Sequence, residues 1–96
     1  MAVIVCTAAG PANCPPAVTD PAGSHVLDNA SVYDGPPNEM ADLEPSLSGG
    51  VDRWDLDGVD PYLVCAFQGT SRVMSFHVTG ARTCEAGSKP FHAGCR

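Results

Sequence analysis

Proline and glycine interrupt this chain so often that no long helix fits between them. Ten Gly and nine Pro fall within 96 residues. The breaks at Asp34-Gly35-Pro36-Pro37, Pro45, Gly49-Gly50, Asp57-Gly58, Gly69 and Gly80 leave only runs of strand length. Glycine admits dihedrals closed to other residues, and proline fixes φ and removes a donor, so each break ends an element. Between the breaks the apolar residues alternate. Val26, Ala30 and Val32 share one face of Ser24 to Tyr33, and Met74, Phe76 and Val78 oppose Val73, Ser75 and His77 on Arg72 to Thr79. That period of two is the mark of half-buried strands. Further strands are expected at Val51 to Leu56, at the strongly apolar Pro61 to Gln68, and at Ala81 to Glu85. Gln68-Gly69-Thr70-Ser71 reads as a hairpin connection that uses Gly for a positive φ.

The segments between these strands carry weaker signals. Asn38 is placed to cap a short helical turn running to Leu43 and ended by Pro45. Pro11 to Gly23 reads as an extended leader, Ser46 to Gly50 as a flexible loop, and Ala86 to Arg96 as an irregular tail anchored by Phe91. The expected fold is mainly β: a small antiparallel sheet of about four to five strands with at most one short helix. A single domain of this size buries a modest core, so covalent staples are in keeping with it.

Staples are available if the chain is exported. Met1 to Ala12 is apolar, rich in small residues and uncharged, like the end of a secretory signal peptide cut near Gly10-Pro11-Ala12. An ordinary first β-strand is the competing reading. Residues 13–96 then form the domain, and the location is periplasmic or secreted. The run is too short to span a membrane. With Cys6 removed, Cys14, Cys65, Cys84 and Cys95 remain, an even set that allows three pairings. Cys65 with Cys84 is preferred because both lie on strands expected to be neighbours, which leaves Cys14 to join Cys95. Zinc held by Cys84, His92 and Cys95 is the weaker alternative, since no C-x-x-C pair is present.

Charge is unevenly placed. The formal net charge is −6, and ten of the eleven carboxylates lie between Asp20 and Asp60 with Arg53 the one base among them. From Pro61 onward Arg72, Arg82, Lys89 and Arg96 face Glu85 alone. Phosphate recognition needs clustered bases, so nucleic acid is excluded as the expected partner. A basic protein surface or a cation suits the acidic half, although an acidic face also serves solubility alone.

No catalytic motif emerges. There is no G-x-S-x-G elbow around a serine, and His25, His77 and His92 lack a recognisable nucleophile. Gly49-Gly50 lacks the lysine and helix of a phosphate loop. Asp52, Asp55, Asp57 and Asp60 surround Trp54, but their spacing departs from the EF-hand pattern, and no metal or cofactor is assigned. Trp54 is either a core residue or an interface anchor. Tyr33 stands beside the stiff Asp34-Gly35-Pro36-Pro37 turn, which would lose little entropy on entering a partner's cleft.

Several strings resemble one known family. Ala30-Ser-Val-Tyr-Asp-Gly-Pro-Pro37, the acidic Glu39-Met-Ala-Asp-Leu43, a Trp-containing strand, Tyr62-Leu-Val-Cys-Ala-Phe-Gln-Gly-Thr70 and the late Cys84 are similar to small exported proteobacterial proteins of uncharacterised function. Some members are encoded near type VI secretion genes. The likeness runs from about Cys14 to Glu85, and departs from the family at Ala66, where a basic residue is usual. It implies an envelope location and brings no catalytic residues. With the stapled scaffold and acidic face, it leads to a non-enzymatic expectation: a periplasmic inhibitor or immunity protein that occludes a cell-wall-degrading enzyme of the peptidoglycan amidase type. Its contact residues would be Tyr33, Asp34, Gly35, Trp54, Asp55 and Asp57. A calcium or envelope-ligand module and a small hydrolase are the alternatives.

Overall fold

The computed structural model describes residues 3–9, 12–88 and 90–96. Its strands are β1 (Val3–Ala9), β2 (Ala12–Asn13), β3 (Ala17–Asp20), β4 (Gly23–Asp34), β5 (Ser46–Ser48), β6 (Val51–Asp55), β7 (Pro61–Phe67), β8 (Val73–Thr79), β9 (Thr83–Gly87) and β10 (His92–Cys95). They form two five-stranded sheets, in the order β1-β8-β7-β4-β3 and β2-β10-β9-β6-β5. The mainly β expectation holds, with one 3-10 turn at Pro37–Glu39 as the helical content among the described residues. The strands are more numerous than expected and divide between two sheets. All the described pairings are antiparallel except that of β1 with β8, which is parallel.

Alternation explains why two sheets form. On β7 Leu63, Cys65 and Phe67 point inward, and on β4 Leu27 and Val32 do the same. From the other sheet Trp54, Cys84, Ala86, Ala93 and Cys95 join them in one cluster. Each sheet turns an apolar face inward, and stacking these two faces removes both from water. Among the places where the chain changes sheet are Leu56 to Asp60 and Gly80 to Arg82, two links joined to each other by the Leu56 amide donating to Arg82 O at 3.0 Å.

Three weakly signalled segments are ordered as strands. The leader contributes β2 and β3, the loop from Ser46 closes a hairpin over Gly49-Gly50, and the tail becomes β10, paired with β9 from His92 opposite Gly87 to Cys95 opposite Cys84. These runs are short and rich in small or polar residues. Their sheet partners, rather than their own alternation, hold them. Phe91 packs against the core as anticipated. The turn after Gly35 starts at Pro37 and stops at Met40, so Asn38 lies inside it and does not cap it. Of the stretch read as a signal-peptide remnant, residues 1–2 and 10–11 lie outside the described residues, and Val3–Ala9 pairs along β8 from Val73 to Thr79.

The disulfides join Cys14 to Cys65 and Cys84 to Cys95. This corrects the expected pairing of Cys65 with Cys84 and of Cys14 with Cys95. Cys65 lies on β7 and Cys84 on β9, which belong to different sheets. Cys84 faces Cys95 across β9 and β10, so that bond lies within one sheet. Cys14 follows β2 and donates its amide to Ala93, so its bond to Cys65 clamps one sheet onto the other. With both thiols of Cys84 and Cys95 consumed, the zinc alternative falls.

Candidate functional site

The outward face of the first sheet carries an apolar groove of about 750 Å³. Alternation builds it. The residues that miss the core on β4, β7 and β8 are Ser31 and Tyr33, Tyr62, Val64 and Ala66, and Val73 and Ser75, and all of them line it. Register sets them side by side, with Tyr33 opposite Tyr62, Ala66 opposite Val73 and Val64 opposite Ser75.

Pro36, Pro37 and Asn38 form a wall at the Tyr33 end. Gly35 adopts φ 88°, which turns the chain out of β4, and its amide donates to the Asp60 carbonyl at 2.8 Å. The Asp34 carboxylate accepts the Asp60 amide at 2.9 Å, so both ends of the turn are tied to the start of β7. Beyond the wall, the Asp34 amide reaches Ala41 O, and the Leu43 amide reaches Val32 O. The loop thus runs back along the open half of β4. Trp54 completes the clamp. It is 5% exposed and donates Nε1–H to Leu43 O at 3.0 Å, tying the loop to the second sheet. The core reading of Trp54 is therefore correct and the interface-anchor reading is not.

At the same end Tyr62 stacks on His77 with ring centroids 4.2 Å apart, and His77 donates Nε2–H to Asp60 at 2.6 Å. A serine, a histidine and an aspartate thus share one face. They do not form a nucleophile pair, because among the described residues the Ser75 hydroxyl has no hydrogen-bond partner. Ser75 is 1% exposed, and a buried polar group left unpaired costs about 1–3 kcal/mol. This residue gave no signal in the sequence beyond its outward position. Met40 was also missed. It ends the loop at φ 60°, a conformation costly for a side-chain-bearing residue, and it is 82% exposed.

The expected contact residues therefore separate. Tyr33 lines the groove, Asp34 and the buried Gly35 lie behind its wall, Trp54 supports it from within, and Asp55 and Asp57 stand apart at the end of β6 and on the turn after it, where Asp55 accepts the Asp57 amide. The strands of Tyr33 and Trp54 lie in different sheets, so they do not meet at one sheet edge. The four aspartates around Trp54 are dispersed as well, and among the described residues no three His, Cys, Asp or Glu side chains gather as a metal site.

A smaller cavity of about 330 Å³ lies beside Asn13, Glu85, His92 and Arg96. Its charges are already matched. Arg53 and Arg96 each reach Glu85 at 2.8 Å, and the Arg53 hydrogen bond, outweighing partial burial, holds the Glu85 carboxyl below its ordinary range. Where β3 pairs with β4, His25 bridges Gln68 O and Asp20, and its hydrogen bond to Asp20 lowers the Asp20 carboxyl.

Two sheets stapled by disulfides, with a stiff loop walling an apolar recess on one outward face, define a small β framework. The profile of the type VI secretion system Tli immunity protein family matches residues 21–95. The chain belongs to that family, whose matched span takes in β4 to β10, every residue that lines the groove and three of the four bonded cysteines. No curated protein and no solved structure matches it. Among the described residues no helix is long and apolar enough to cross a membrane.

Proposed function

We propose that this chain is a non-catalytic immunity protein that binds a type VI effector in the periplasm and blocks its active cleft. The observation that carries this reading is the family match over residues 21–95. Two disulfides suit an oxidising compartment. The stiff loop from Tyr33 to Pro37 supports occlusion, because a loop already held by Asp60 and Leu43 pays little ordering entropy on contact. Residues 1–12 act as an export signal whose removal takes the edge strand β1 from beside β8 and leaves β4, β7 and β8, which line the groove, in place, and the effector is a cell-wall hydrolase of the peptidoglycan amidase type.

Tyr33, Asp34 and Gly35 form the contact centre, and Asp55 and Asp57 steer a basic cleft toward it. Steering acts mainly on the association rate and weakens with salt. The test is periplasmic co-expression with envelope hydrolase effectors, a peptidoglycan amidase among them, followed by binding kinetics on the one neutralised. Neutralising Asp55 and Asp57 slows association and flattens its salt dependence, whereas Tyr33→Ala speeds dissociation. Rates unchanged in both variants refute this contact surface, and failure to protect cells against any effector refutes the immunity reading.

A further inference from the structure

We infer that the groove on the outward face of the first sheet receives an apolar side chain of the effector followed closely by a lysine or arginine, with a polar group of the same segment bonding the Ser75 hydroxyl. This deepens the proposed function and rests on it. Three observations fix the chemistry of the occupant.

The lining is apolar or neutral throughout, with Tyr33, Tyr62, Val64, Ala66, Pro36 and Pro37 supplying most of it. A recess so lined gains from an apolar side chain that expels its water. Ser75 lines its floor, and the Ser75 hydroxyl is buried with no partner among the described residues, so an occupant whose donor or acceptor it reaches by turning about χ1 is preferred over a purely hydrocarbon one. The charges, finally, are arranged along its length. Asp34 and Glu39 adjoin the wall residues, and Asp60 stands beyond the Tyr62–His77 stack at the same end. Arg72 lies at the other end, next to Val73 and beside Asp20. A cation on the occupant is therefore favoured at the Tyr33 end. Met40, exposed and held in a left-handed conformation beside that end, extends the apolar rim outward.

The probe is a set of short capped peptides, Ser-Phe-Lys-Ser and two controls in which Phe becomes Ser or Lys becomes Glu, titrated into the full chain and followed by amide chemical shifts. The expected result is saturable shifts centred on Tyr62, Val64 and Ser75 with the Phe-Lys peptide, at least fivefold weaker with either control. Shifts should be lost in Ala66→Trp, which fills the groove, and weakened severalfold in Ser75→Ala, which keeps the volume small and removes the hydroxyl. No shifts, equal shifts for all three peptides, or shifts centred elsewhere overturn the inference. With an effector in hand, Ala66→Trp should abolish neutralisation while the folded spectrum is kept. Neutralisation intact in Ala66→Trp and in Ser75→Ala sinks the groove and leaves the immunity reading standing, whereas peptide binding without neutralisation of any effector keeps the groove and refutes that reading.

Discussion

The two disulfides differ in what they constrain, and removing them one at a time gives a stability difference that follows from the fold. Cys14 and Cys65 are 51 residues apart, whereas Cys84 and Cys95 are 11 apart. In the chain-entropy treatment, closing the longer loop removes unfolded-state freedom worth about 4 kcal/mol and closing the shorter about 3 kcal/mol. All four sulfurs are buried, so the packing lost on replacement by alanine is closely matched between the pairs. The difference of about 1 kcal/mol therefore reports the loop. A domain of this size has roughly 5–15 kcal/mol to lose. Cys14→Ala with Cys65→Ala should thus lower Tm by about 15–30 °C, and Cys84→Ala with Cys95→Ala by less. Urea unfolding of the oxidised protein and both double variants measures this, with a larger slope for the first pair because its unfolded chain is released over a longer span. Tryptic mapping checks the connectivity beforehand. Cleavage after Arg53, Arg72 and Arg82, with Lys89 shielded by Pro90, leaves Cys84 and Cys95 in one peptide and joins the Cys14 and Cys65 peptides to each other. A link between the Cys65 and Cys84 peptides, or a greater loss from the short-loop pair, would refute the reasoning.

Three other outcomes are expected. Trp54→Phe keeps most of the buried ring but leaves Leu43 O without its donor, so it should cost about 1–3 kcal/mol in urea unfolding and loosen the Pro36–Pro37 wall, seen as faster amide exchange at Leu43. Gly35→Ala should cost about 1–3 kcal/mol, since its φ of 88° strains any side chain and the added Cβ would lie 2.9 Å from Glu39 Oε1. Glu85 and Asp20 both have carboxyls lowered in the folded state, by the Arg53 and His25 hydrogen bonds respectively, so their stabilisation is present above the ordinary carboxylate range and is lost as pH falls through their lowered values. Acid unfolding of Glu85→Gln should show a flatter loss of stability in that range, and an unchanged pH profile would contradict the assignment.

The central strands were legible because each carries its own signal. Pro61 to Phe67 is an unbroken apolar run, and Val73 to Thr79 returns across a glycine turn with period two, so composition and punctuation give both strands and the period of the second gives the outward side of Ser75, whereas the inward residues of the first emerge only on folding. The acidic half and the stiffness of the turn at Gly35 were equally visible, since charge and proline geometry are local. Strands β2, β3, β5 and β10 were not, because stretches such as His92 to Cys95 become strands only when a neighbour such as β9 offers its hydrogen bonds. Local pattern also says which side chains share a face and never which sheet a strand joins. That decision rests on the links at Leu56 to Asp60 and Gly80 to Arg82, and with it went the pairing of the cysteines, the burial of Trp54 and the separation of Asp55 and Asp57 from Tyr33. The groove belongs to the same level. Its residues come from three strands and a loop up to 44 positions apart in the chain, and only tertiary register sets Ser75 beside Val64, in line with Ser31, without a partner for its hydroxyl among the described residues.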